Sequence, residues 1–341
     1  MSKHVPASIE RIRPLVDEAL RAAVKQLDPH LGLIASYQMG WCDADGNPTA
    51  AGGKSIRPTL VVLCAEAVGA PGEVAAPAAA AVELIHNFSL LHDDVMDRDV
   101  ERRHRPTGWV VFGQSQAILA GSAMFAAAFE LLVADAASAA RTMPCLLEAS
   151  RRLIAGQSAD LLFEQAASPQ ISECLEMEAG KTAALLSCST AIGALAAGAS
   201  PELVAALAGF GWELGMAFQL VDDVLGIVGD PAVTGKSSSS DIRSGKRSAP
   251  VVAALVAGTD ASAELARRMR AGRPENDAAV AEMAELVISA GGVAWASAEA
   301  DRRLAAALTH LDSVALVAGP GESAPAEQLK AIAGYVVTRN N

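Results

Sequence analysis

Apolar residues recur at helical spacing along most of the chain, and this pattern predicts a protein built from helices. The first predicted helix, Ile9 to Leu27, carries apolar residues on one face and charged residues on the other. A loop rich in Gly, Asp, Asn and Pro is predicted from Gly40 to Gly53. Arg57, which precedes a proline, marks a helix start just afterwards. The later predicted helices are Pro58–Val68, Val74–Asp97, Ser115–Ala136, Met143–Glu164, Ile171–Ala197, Pro201–Ile227, Arg247–Ala257, Asp277–Ala290, Gly292–Leu311 and Pro325–Val337.

The composition strengthens the helical interpretation. Hydrophobic residues make up 51% of the 341 residues but aromatic residues only 4%, so the apolar content is mostly Ala, Leu and Val. Ala and Leu are strong helix formers, whereas strands prefer aromatic and β-branched residues. No Pro/Ser-rich linker and no fixed-period repeat divides the sequence. We therefore expect an all-α protein in which residues 1–341 form a single helical domain.

The formal net charge of −12 argues against general nucleic-acid binding. The same charge would repel a phosphorylated substrate unless positive charge were concentrated locally. Basic clusters are therefore candidate phosphate sites, although each cluster taken singly could also be a solvated surface. These clusters are Lys54/Arg57, Arg102/Arg103/Arg105 and Lys236/Arg243/Lys246/Arg247.

Cysteine usage and the N-terminal sequence predict a soluble cytoplasmic protein. The five cysteines have no paired spacing, which is typical of reduced thiols that fill a core. Residues 1–14 are polar and contain no apolar stretch of the kind that secretory signals carry. The most apolar long segment, Ala117 to Val133, contains Glu130 and falls short of a clean membrane span. We expect no integral membrane segment.

The first candidate site is an acidic run that ends a predicted helix. Asp93 and Asp97 are four residues apart and share one helix face, and His86 lies on that face two turns earlier. Carboxylates massed in this way suit Mg²⁺, which takes oxygen ligands and shares them with a substrate phosphate. Asp94 is expected to point away, in a supporting or capping role. An acidic helix end facing solvent is the alternative, but apolar residues precede the run and arginines follow it at once.

A second acidic pair, Asp222-Asp223, lies in a strongly apolar helix three residues after Gln219. Charged residues in such a setting are almost never left unpaired, so a shared metal would compensate them. Three further elements supply hydrogen-bond donors, which suit phosphate, rather than acceptors. They are Lys181-Thr182 within an apolar helix, the helix start at Lys54 and Arg57, and Lys236 with Lys246, which flank a serine-rich loop. This loop, residues 235–241, is predicted to be mobile and functional, with a plain solvated loop as the alternative.

These motifs resemble those of the trans-polyprenyl diphosphate synthases, the head-to-tail prenyltransferases. Five elements occur in the order of that family: Gly-Gly-Lys…Arg-Pro from Gly52, the aspartate run with its Arg-Arg tail, Lys-Thr, Phe-Gln-x-x-Asp-Asp, and the final Gly-Lys that ends at Lys246. The resemblance implies an isoprenoid-synthase-type helical bundle around a central cavity. It also implies a Mg²⁺-dependent homodimer that condenses isopentenyl diphosphate with an allylic diphosphate.

The resemblance implies a role for each matching position. Asp93, Asp97 and Asp222 would bind Mg²⁺. The allylic diphosphate would be contacted by Arg102, Lys181 and Lys236, with Thr182 and Gln219 lining the site. The diphosphate of isopentenyl diphosphate would be held by Lys54, Arg57, His86 and Arg103, and Lys246 would belong to the closing basic segment.

Three positions depart from the family pattern. Gly226 replaces a common aspartate of the second motif, so one carboxylate of the Asp222 face is missing. Ser55 stands where a basic residue is common. His104 replaces a usual glycine, with no consequence that the sequence makes obvious.

Product length depends on the helix that leads into the first acidic run. Phe88 lies five residues before Asp93, about 7.5 Å along the helix, and is expected to form part of the floor of a product tunnel, with an ordinary core role as the alternative. Ser89 is small and leaves room beside it. By resemblance we expect geranylgeranyl diphosphate as the product, ahead of farnesyl diphosphate.

Two hypotheses from different classes compete with a prenyltransferase. One is a non-catalytic partner subunit that modulates a related synthase, and the intact pair Asp93/Asp97 argues against it. The second is a terpene cyclase, which would not need the second diphosphate site formed by Lys54, Arg57 and Arg103. We therefore expect an enzyme that joins two phosphorylated substrates.

Overall fold

The computed structural model describes residues 5–49, 53, 55–163, 169–229, 239–317 and 324–338. The described residues are almost entirely helical, which confirms the all-α prediction. Their only strands are the two-residue pair β1 (Glu101–Arg102) and β2 (Arg105–Pro106). The helices are α1 (Ala7–Val24), α2 (Pro29–Gln38), α3 (Ile56–Ala67), α4 (Ala76–Asp97), α5 (Gly108–Phe112), α6 (Gln114–Ala134), α7 (Ala139–Phe163), α8 (Ile171–Glu178), α9 (Ala184–Ala196), α10 (Pro201–Val228), α11 (Ser240–Ser244), α12 (Ala249–Val256), α13 (Asp260–Ala271), α14 (Asp277–Ser289), α15 (Gly292–Asp312) and α16 (Pro325–Thr338).

The chain divides into two compact units. The first unit comprises residues 1–150, 187–208 and 311–332, and the second comprises 151–186, 209–310 and 333–341. The expectation of a single domain therefore stays a prediction.

The core of the first unit is built around α3 and α4. Both helices are buried on several faces because they are rich in Ala, Val and Leu and carry few polar residues before their functional ends. Gly193 of α9 allows an unusually close approach to α3, since a Cβ atom at this position would lie 2.0 Å from the carbonyl oxygen of Val61. Small residues therefore let helices pack closely in this unit.

The described part of the second unit has three buried apolar clusters, of which two are large. One contains Ile227, Val251, Leu265 and Val287, and the other includes Phe163 and residues of α8, α10, α12 and α15. Between α8 and α9 the helix continues through a π-helical turn, Ala179–Ala183. This wider turn holds Lys181 and Thr182.

Several predicted helix boundaries need correction. The segment predicted as one helix from residue 9 to 27 ends at Val24, and α2 follows in a stretch for which no element was predicted. Helix α3 begins at Ile56 and so includes Arg57, because a proline in the first helical turn sacrifices no intrahelical hydrogen bond. Helix α13 was not predicted at all. Its start is fixed by Thr259, whose hydroxyl accepts a hydrogen bond from the backbone N–H of Ser262.

Within the described residues, three stretches are long and apolar enough to cross a membrane when judged by length and composition alone. They are Gly72–Asp97, Gln114–Ala134 and Pro201–Val228. Two of them end in or contain the acidic motifs. The expectation that the chain has no integral membrane segment stays a prediction, as does its expected cytoplasmic location.

Candidate active site

Helix α4 places its acidic residues in two different environments. Asp93 is partly buried and Asp97 exposed, and their spacing of four residues puts them on one face of the last turns. Asp94 is fully buried, and its Oδ1 accepts a hydrogen bond of 2.6 Å from Nε of Arg102. Burial raises the pKa of Asp94 to about 6, against the opposing effect of the Arg102 charge. Asp94 therefore anchors an arginine, while Asp93 and Asp97 lie on a different face of the helix.

A tight hairpin presents the arginines that follow α4. Strands β1 and β2 pair antiparallel, and the two residues between them, Arg103 and His104, both have positive φ (54° and 59°). Two-residue hairpins of this kind favour glycine or asparagine, because other side chains are strained in the left-handed region. The histidine at position 104 therefore has a conformational cost, which explains why glycine suits this position.

The predicted isopentenyl diphosphate residues of the first unit lie together. Nη1 of Arg57 lies 3.3 Å from Nε2 of His86. Since a guanidinium can only donate, Nε2 accepts and the imidazole is neutral, with its proton on Nδ1. Burial, and then the positive charges of Arg57, Arg103 and Arg102, hold the pKa of His86 well below 6.5. The charges of three guanidinium groups thus act on a neutral histidine, and that of Arg57 is in direct contact with it.

The guanidinium of Arg103 is packed against Gly53. A Cβ atom at residue 53 would lie 3.0–3.3 Å from the guanidinium atoms of Arg103, so any side chain there would crowd the arginine. Glu83 belongs to the same cluster. Burial raises the pKa of its carboxyl group, while the charges of Arg57 and Arg103 and a hydrogen bond from Asn87 lower it, and the net shift is upward. We call α4 from Glu83 to Asp97, together with Gly53, Arg57 and the hairpin 101–106, the arginine region.

Phe88 is buried on α4 between the cluster at His86 and the carboxylates at the helix end. Its ring makes edge-on contacts with Phe125 of α6, at 5.2 Å between centroids, and with His92, at 5.0 Å. His92 in turn covers Gly121, where a Cβ atom would lie 2.3 Å from the imidazole. The hydroxyl of Ser89 donates to the carbonyl oxygen of His86 and is therefore engaged with the helix itself. An aromatic cluster, rather than Phe88 alone, fills this part of the unit.

In the second unit, two glycines bring Lys181 to a buried carboxylate. A Cβ atom at Gly156 would lie 2.3 Å from the backbone nitrogen of Lys181, and one at Gly180 would lie 3.1 Å from Cα of Gly156. This close approach of α7 to the π-helical turn allows Nζ of Lys181 to pair with Oδ2 of Asp160 at 2.6 Å. Asp160 is buried, so its charge is compensated by the lysine.

A chain of hydrogen bonds connects the π-helical turn to α10 and α12. The hydroxyl of Thr182 donates to Oε1 of Gln219 at 2.7 Å, and Nε2 of Gln219 donates to Oδ1 of Asp223 at 2.7 Å. Oδ2 of Asp223 accepts the backbone N–H of Ala249 at 3.0 Å, which caps the start of α12. Asp223 is therefore a buried structural residue, whereas Asp222 beside it is partly exposed.

Lys246 lies among carboxylates of the same unit. Burial by itself would lower its pKa, but the negative charges of Asp223, Asp241, Asp160 and Glu178 raise it, and the net shift is upward. Burial, followed by the proximity of Asp223, raises the pKa of Glu178 well above its ordinary value. The lysine stays charged and offsets an acidic interior.

Gly226 is covered by a carboxylate from another segment. A Cβ atom at this position would lie 2.5 Å from both Cγ and Oδ2 of Asp241. Gly226 is four residues after Asp222 and so lies on the same face of α10. The Asp241 carboxylate therefore lies against the helix where the second motif lacks its own side chain. The hydroxyl of Ser239 donates to the carbonyl oxygen of Ile227 and fixes this segment on α10. We call residues 156–160, 178–182, 219–226 and 241–249 the lysine region.

Most of the described site residues were predicted from the sequence, but their partners were not. Arg57, His86, Arg102 and Arg103 come together in the first unit, and Lys181, Thr182, Gln219, Asp222 and Lys246 lie in the lysine region. Lys54 and Lys236 lie outside the described residues, as does most of the serine-rich loop.

Five further acidic residues contact or act electrostatically on groups of the two regions, and the sequence did not predict this role for any of them. They are Glu83, Asp160, Glu178, Asp223 and Asp241. Glu178 and Asp160 could have been found by the rule that identified Asp222, because each is a charge within an apolar helix.

Among the described residues, no group of three or more His, Cys, Asp or Glu side chains converges as a cation site would require. The donor set is instead a pair of carboxylates on one helix face. Mg²⁺ is typically held by one or two carboxylates together with substrate phosphates rather than by a cage made only of protein. The residues present therefore fit a metal ion shared with a phosphorylated substrate.

Comparison with known proteins places the chain in a family. The sequence pattern of the polyprenyl synthetase family matches residues 44–287. A (2E,6E)-farnesyl diphosphate synthase of Mycobacterium tuberculosis is 44% identical over 330 residues, covering 95% of this chain and 90% of that protein. A geranylgeranyl diphosphate synthase of the same organism is 44% identical over 309 residues, covering 89% and 88%. The crystal structure of a polyprenyl synthetase from Streptomyces coelicolor shares 46% identity with a TM-score of 0.92, covering 98% of this chain and all of that one. The chain therefore belongs to the polyprenyl synthetase family and is a short-chain trans-prenyl diphosphate synthase, a prenyltransferase of isoprenoid biosynthesis.

Proposed function

We propose that this enzyme condenses isopentenyl diphosphate with an allylic diphosphate, with Mg²⁺ as cofactor, and that its product is geranylgeranyl diphosphate. One observation carries the proposal. Helix α4 carries His86, which contacts Arg57 of α3 and lies in the field of the hairpin arginines. Seven residues or about 10 Å further along, the same helix carries the carboxylates that begin at Asp93. One helix can thus serve two anions, one held by arginines alone and one through metal ions.

In this proposal Asp93 and Asp97 hold Mg²⁺ in the first unit and Asp222 holds it in the second. When bound, the metal supplies positive charge that stabilises the departing pyrophosphate. Arg102 is oriented for the allylic diphosphate by its hydrogen bond to Asp94. In the second unit, Lys181 is the phosphate donor, and Thr182 and Gln219, joined by a hydrogen bond, line the site beside it. Lys236, outside the described residues, is expected to join them.

Arg57, His86 and Arg103, with Lys54 outside the described residues, hold the second diphosphate. Because His86 is neutral, it adds a donor at Nδ1 without adding to the repulsion among the guanidinium groups. An arriving diphosphate relieves that repulsion, which favours its binding over that of a neutral molecule. The condensation itself needs no protein nucleophile: the isopentenyl double bond attacks the allylic cation and a proton is then lost.

The proposal of a twenty-carbon product depends on the position of Phe88. Its ring is held in place by Phe125 and His92, so it can act as a fixed floor five residues below Asp93. Sequence identity does not choose between products, since relatives named for farnesyl and for geranylgeranyl diphosphate are both 44% identical. Ser89, whose hydroxyl is bound to its own helix, adds little bulk beside the ring.

Measurement of product chain length tests both the proposed condensation and the proposed product. The purified protein is incubated with Mg²⁺, labelled isopentenyl diphosphate and each allylic starter in turn, and the products are separated by chain length. We expect incorporation that stops at twenty carbons. No incorporation with any starter would favour the non-catalytic subunit, and products that stop at fifteen carbons would make the enzyme a farnesyl diphosphate synthase.

Phe88→Ala sharpens the test, because removal of the floor should lengthen the product. Phe112→Ala is the matched control: its ring packs on Tyr37 and His30, away from Phe88, and its loss should leave product length unchanged. An unchanged product in Phe88→Ala would remove Phe88 from the floor.

We also propose that the enzyme is a homodimer. Helix α6 exposes Ile118, Leu119 and Val133, and α7 exposes Leu147, each between 41% and 57% accessible. Exposed apolar side chains along two helices of the first unit suit the same face of a second copy. Sedimentation equilibrium at micromolar concentration should give the mass of two chains, and a monomer would contradict the proposal.

A further inference from the structure

Two cysteines far apart in the sequence meet outside the arginine and lysine regions. Sγ of Cys145 on α7 lies 3.6 Å from Sγ of Cys188 on α9, and 43 residues separate them along the chain. Both belong to the first unit. A disulfide needs its sulfur atoms about 2.05 Å apart, so small side-chain rotations would bring the two into bonding range.

The two thiols differ in access. Cys188 is 3% exposed, whereas Cys145 is only partly buried. The S–H of Cys188 can donate to the thiolate of Cys145, and this contact lowers the pKa of Cys145 and raises that of Cys188. The sulfur of Cys145 is thus suited to react first, and the sulfur of Cys188 lies next to it.

The remaining three cysteines are held in the unreactive thiol form. Burial raises the pKa of Cys64, and burial with nearby acidic groups raises the pKa values of Cys42 and Cys174. Since the thiolate is the nucleophile, reactivity is concentrated at Cys145.

We propose that Cys145 and Cys188 form a peroxide-sensitive dithiol, in which Cys145 is the attacking residue, Cys188 the resolving residue, and the substrate a hydroperoxide. This site is independent of prenyl transfer, and none of the residues assigned to the diphosphates or to the metal takes part in it.

The chemistry balances in two steps. The Cys145 thiolate attacks the terminal oxygen of hydrogen peroxide, the O–O bond breaks, and hydroxide leaves and is protonated to water, so that Cys145 becomes a sulfenic acid. Cys188 then attacks that sulfur, the S–O bond breaks, and a second water is lost. In total, two thiols are oxidised to one disulfide and one peroxide is reduced to two waters.

Mass spectrometry of the full chain provides the test. Reduced protein is treated with one equivalent of hydrogen peroxide, quenched with catalase, alkylated, and digested with trypsin without reduction. Trypsin releases Cys145 in residues 142–151, Cys188 in 182–236 and Cys174 in 153–181, so the three are distinguishable. We expect a 142–151/182–236 crosslink, a loss of two free thiols per chain, and a raised melting temperature, because the bond closes a long loop.

Two near-isosteric variants keep the test sharp. In Cys188→Ser, dimedone should trap a sulfenic acid at Cys145. In Cys145→Ser, the same peroxide dose should leave the thiol count unchanged. Oxidation that appears first at Cys42, or an oxidation rate in Cys145→Ser equal to that of wild type, would overturn the proposal. Both variants should retain wild-type prenyl transfer, so loss of the crosslink is distinguishable from loss of the enzyme.

Discussion

The arginine region and the lysine region contain the same kinds of side chain in opposite electrostatic states. In the arginine region, the charges of three arginines act on a neutral His86, while Asp94 pairs with Arg102 and Glu83 lies near the other two. In the lysine region, Lys181 is paired with Asp160, and Lys246 lies among four carboxylates. The arginine region thus places positive charge beside a neutral histidine, whereas both described lysines of the lysine region lie close to carboxylates. Two regions with similar residue types can therefore differ in how their charges are compensated.

The two regions also differ in how they are held. Asp93 and Asp97 project from the end of one helix, and only Asp94 between them is fully buried. Thr182, Gln219 and Asp223 instead form a hydrogen-bonded chain that joins three elements. We expect substitutions in the arginine region to affect chemistry more than stability, and the reverse in the lysine region.

The strongest test of this contrast is Asp93→Ala. Loss of a metal-binding carboxylate should lower kcat by about 10²–10³-fold or more, since charge stabilisation of the leaving group is lost. The melting temperature should change little because Asp93 is only partly buried. Steady-state kinetics over a range of Mg²⁺ concentrations gives the measurement, with Glu101→Ala, an exposed carboxylate on β1, as the control. A larger kinetic loss in Asp222→Ala than in Asp93→Ala would reverse the contrast.

Gly226→Ala tests the packing of the lysine region. The added Cβ would meet the Asp241 carboxyl group, so we expect a loss of about 1–3 kcal/mol in the free energy of unfolding. Gly334→Ala is the matched control in the same unit, because a Cβ there meets no atom of the described chain within 4 Å. That variant should be stabilised by about 0.5–1 kcal/mol. If Asp241→Ser fails to relieve Gly226→Ala in urea titrations, the steric explanation is wrong.

The neutral state of His86 predicts a pH dependence. The pKa of His86 is depressed in the folded protein. Its contribution to the free energy of unfolding is therefore fully present above pH 6.5. This contribution is lost as the pH falls, because His86 is protonated in the unfolded chain but stays neutral in the folded one. The slope is at most about 1.4 kcal/mol per pH unit. His86→Gln, which keeps an acceptor for Arg57, should remove the His86 part of this slope in denaturant titrations between pH 6.5 and 5. The opposite effect of Asp94 and Glu83, whose pKa values are raised, should remain. His104→Gln, which removes an exposed imidazole, should retain the His86 part.

The smallest expected effect lies in the hairpin of the arginine region. His104→Gly relieves the left-handed strain at φ 59°, at the cost of a more flexible unfolded chain, so the net gain is at most about 1 kcal/mol. Thermal unfolding should show a slightly higher melting temperature with unchanged kcat. A lower melting temperature would mean that the imidazole makes a compensating contact.

Spacing along one helix was enough to predict half of the candidate site. The grouping of Asp93 with Asp97, and of His86 on the same face, follows from the period of 3.6 residues and needs no tertiary information. The pairing of Lys181 with Asp160 could not be predicted in this way, because it depends on two glycines that bring separate segments together. The position of Asp241 against Gly226 likewise depends on how a loop returns to α10.

Four helices were not predicted, namely α2, α5, α11 and α13, and the two longer ones have a similar explanation. Helix α13 carries five charged residues among its twelve and is polar on average, so it was missed although its apolar residues favour one face. Helix α2 was hidden because its apolar residues do not favour one face. The departures at Gly226 and His104 were visible in the sequence, but their physical meaning required backbone geometry.

The π-helical turn at Ala179–Ala183 has a consequence for how this chain can tolerate insertions and deletions. A wider turn accommodates one more residue than an α-helix needs between the same two ends. Deleting a single residue here would let the segment relax to ordinary α geometry. Deletion of a residue elsewhere would instead rotate the helix beyond that point by about 100°. In α8 this rotation would turn Thr182 away from Gln219, and in the first turn of α9 it would turn Cys188 away from Cys145. Length variation among related sequences should therefore concentrate within these five residues.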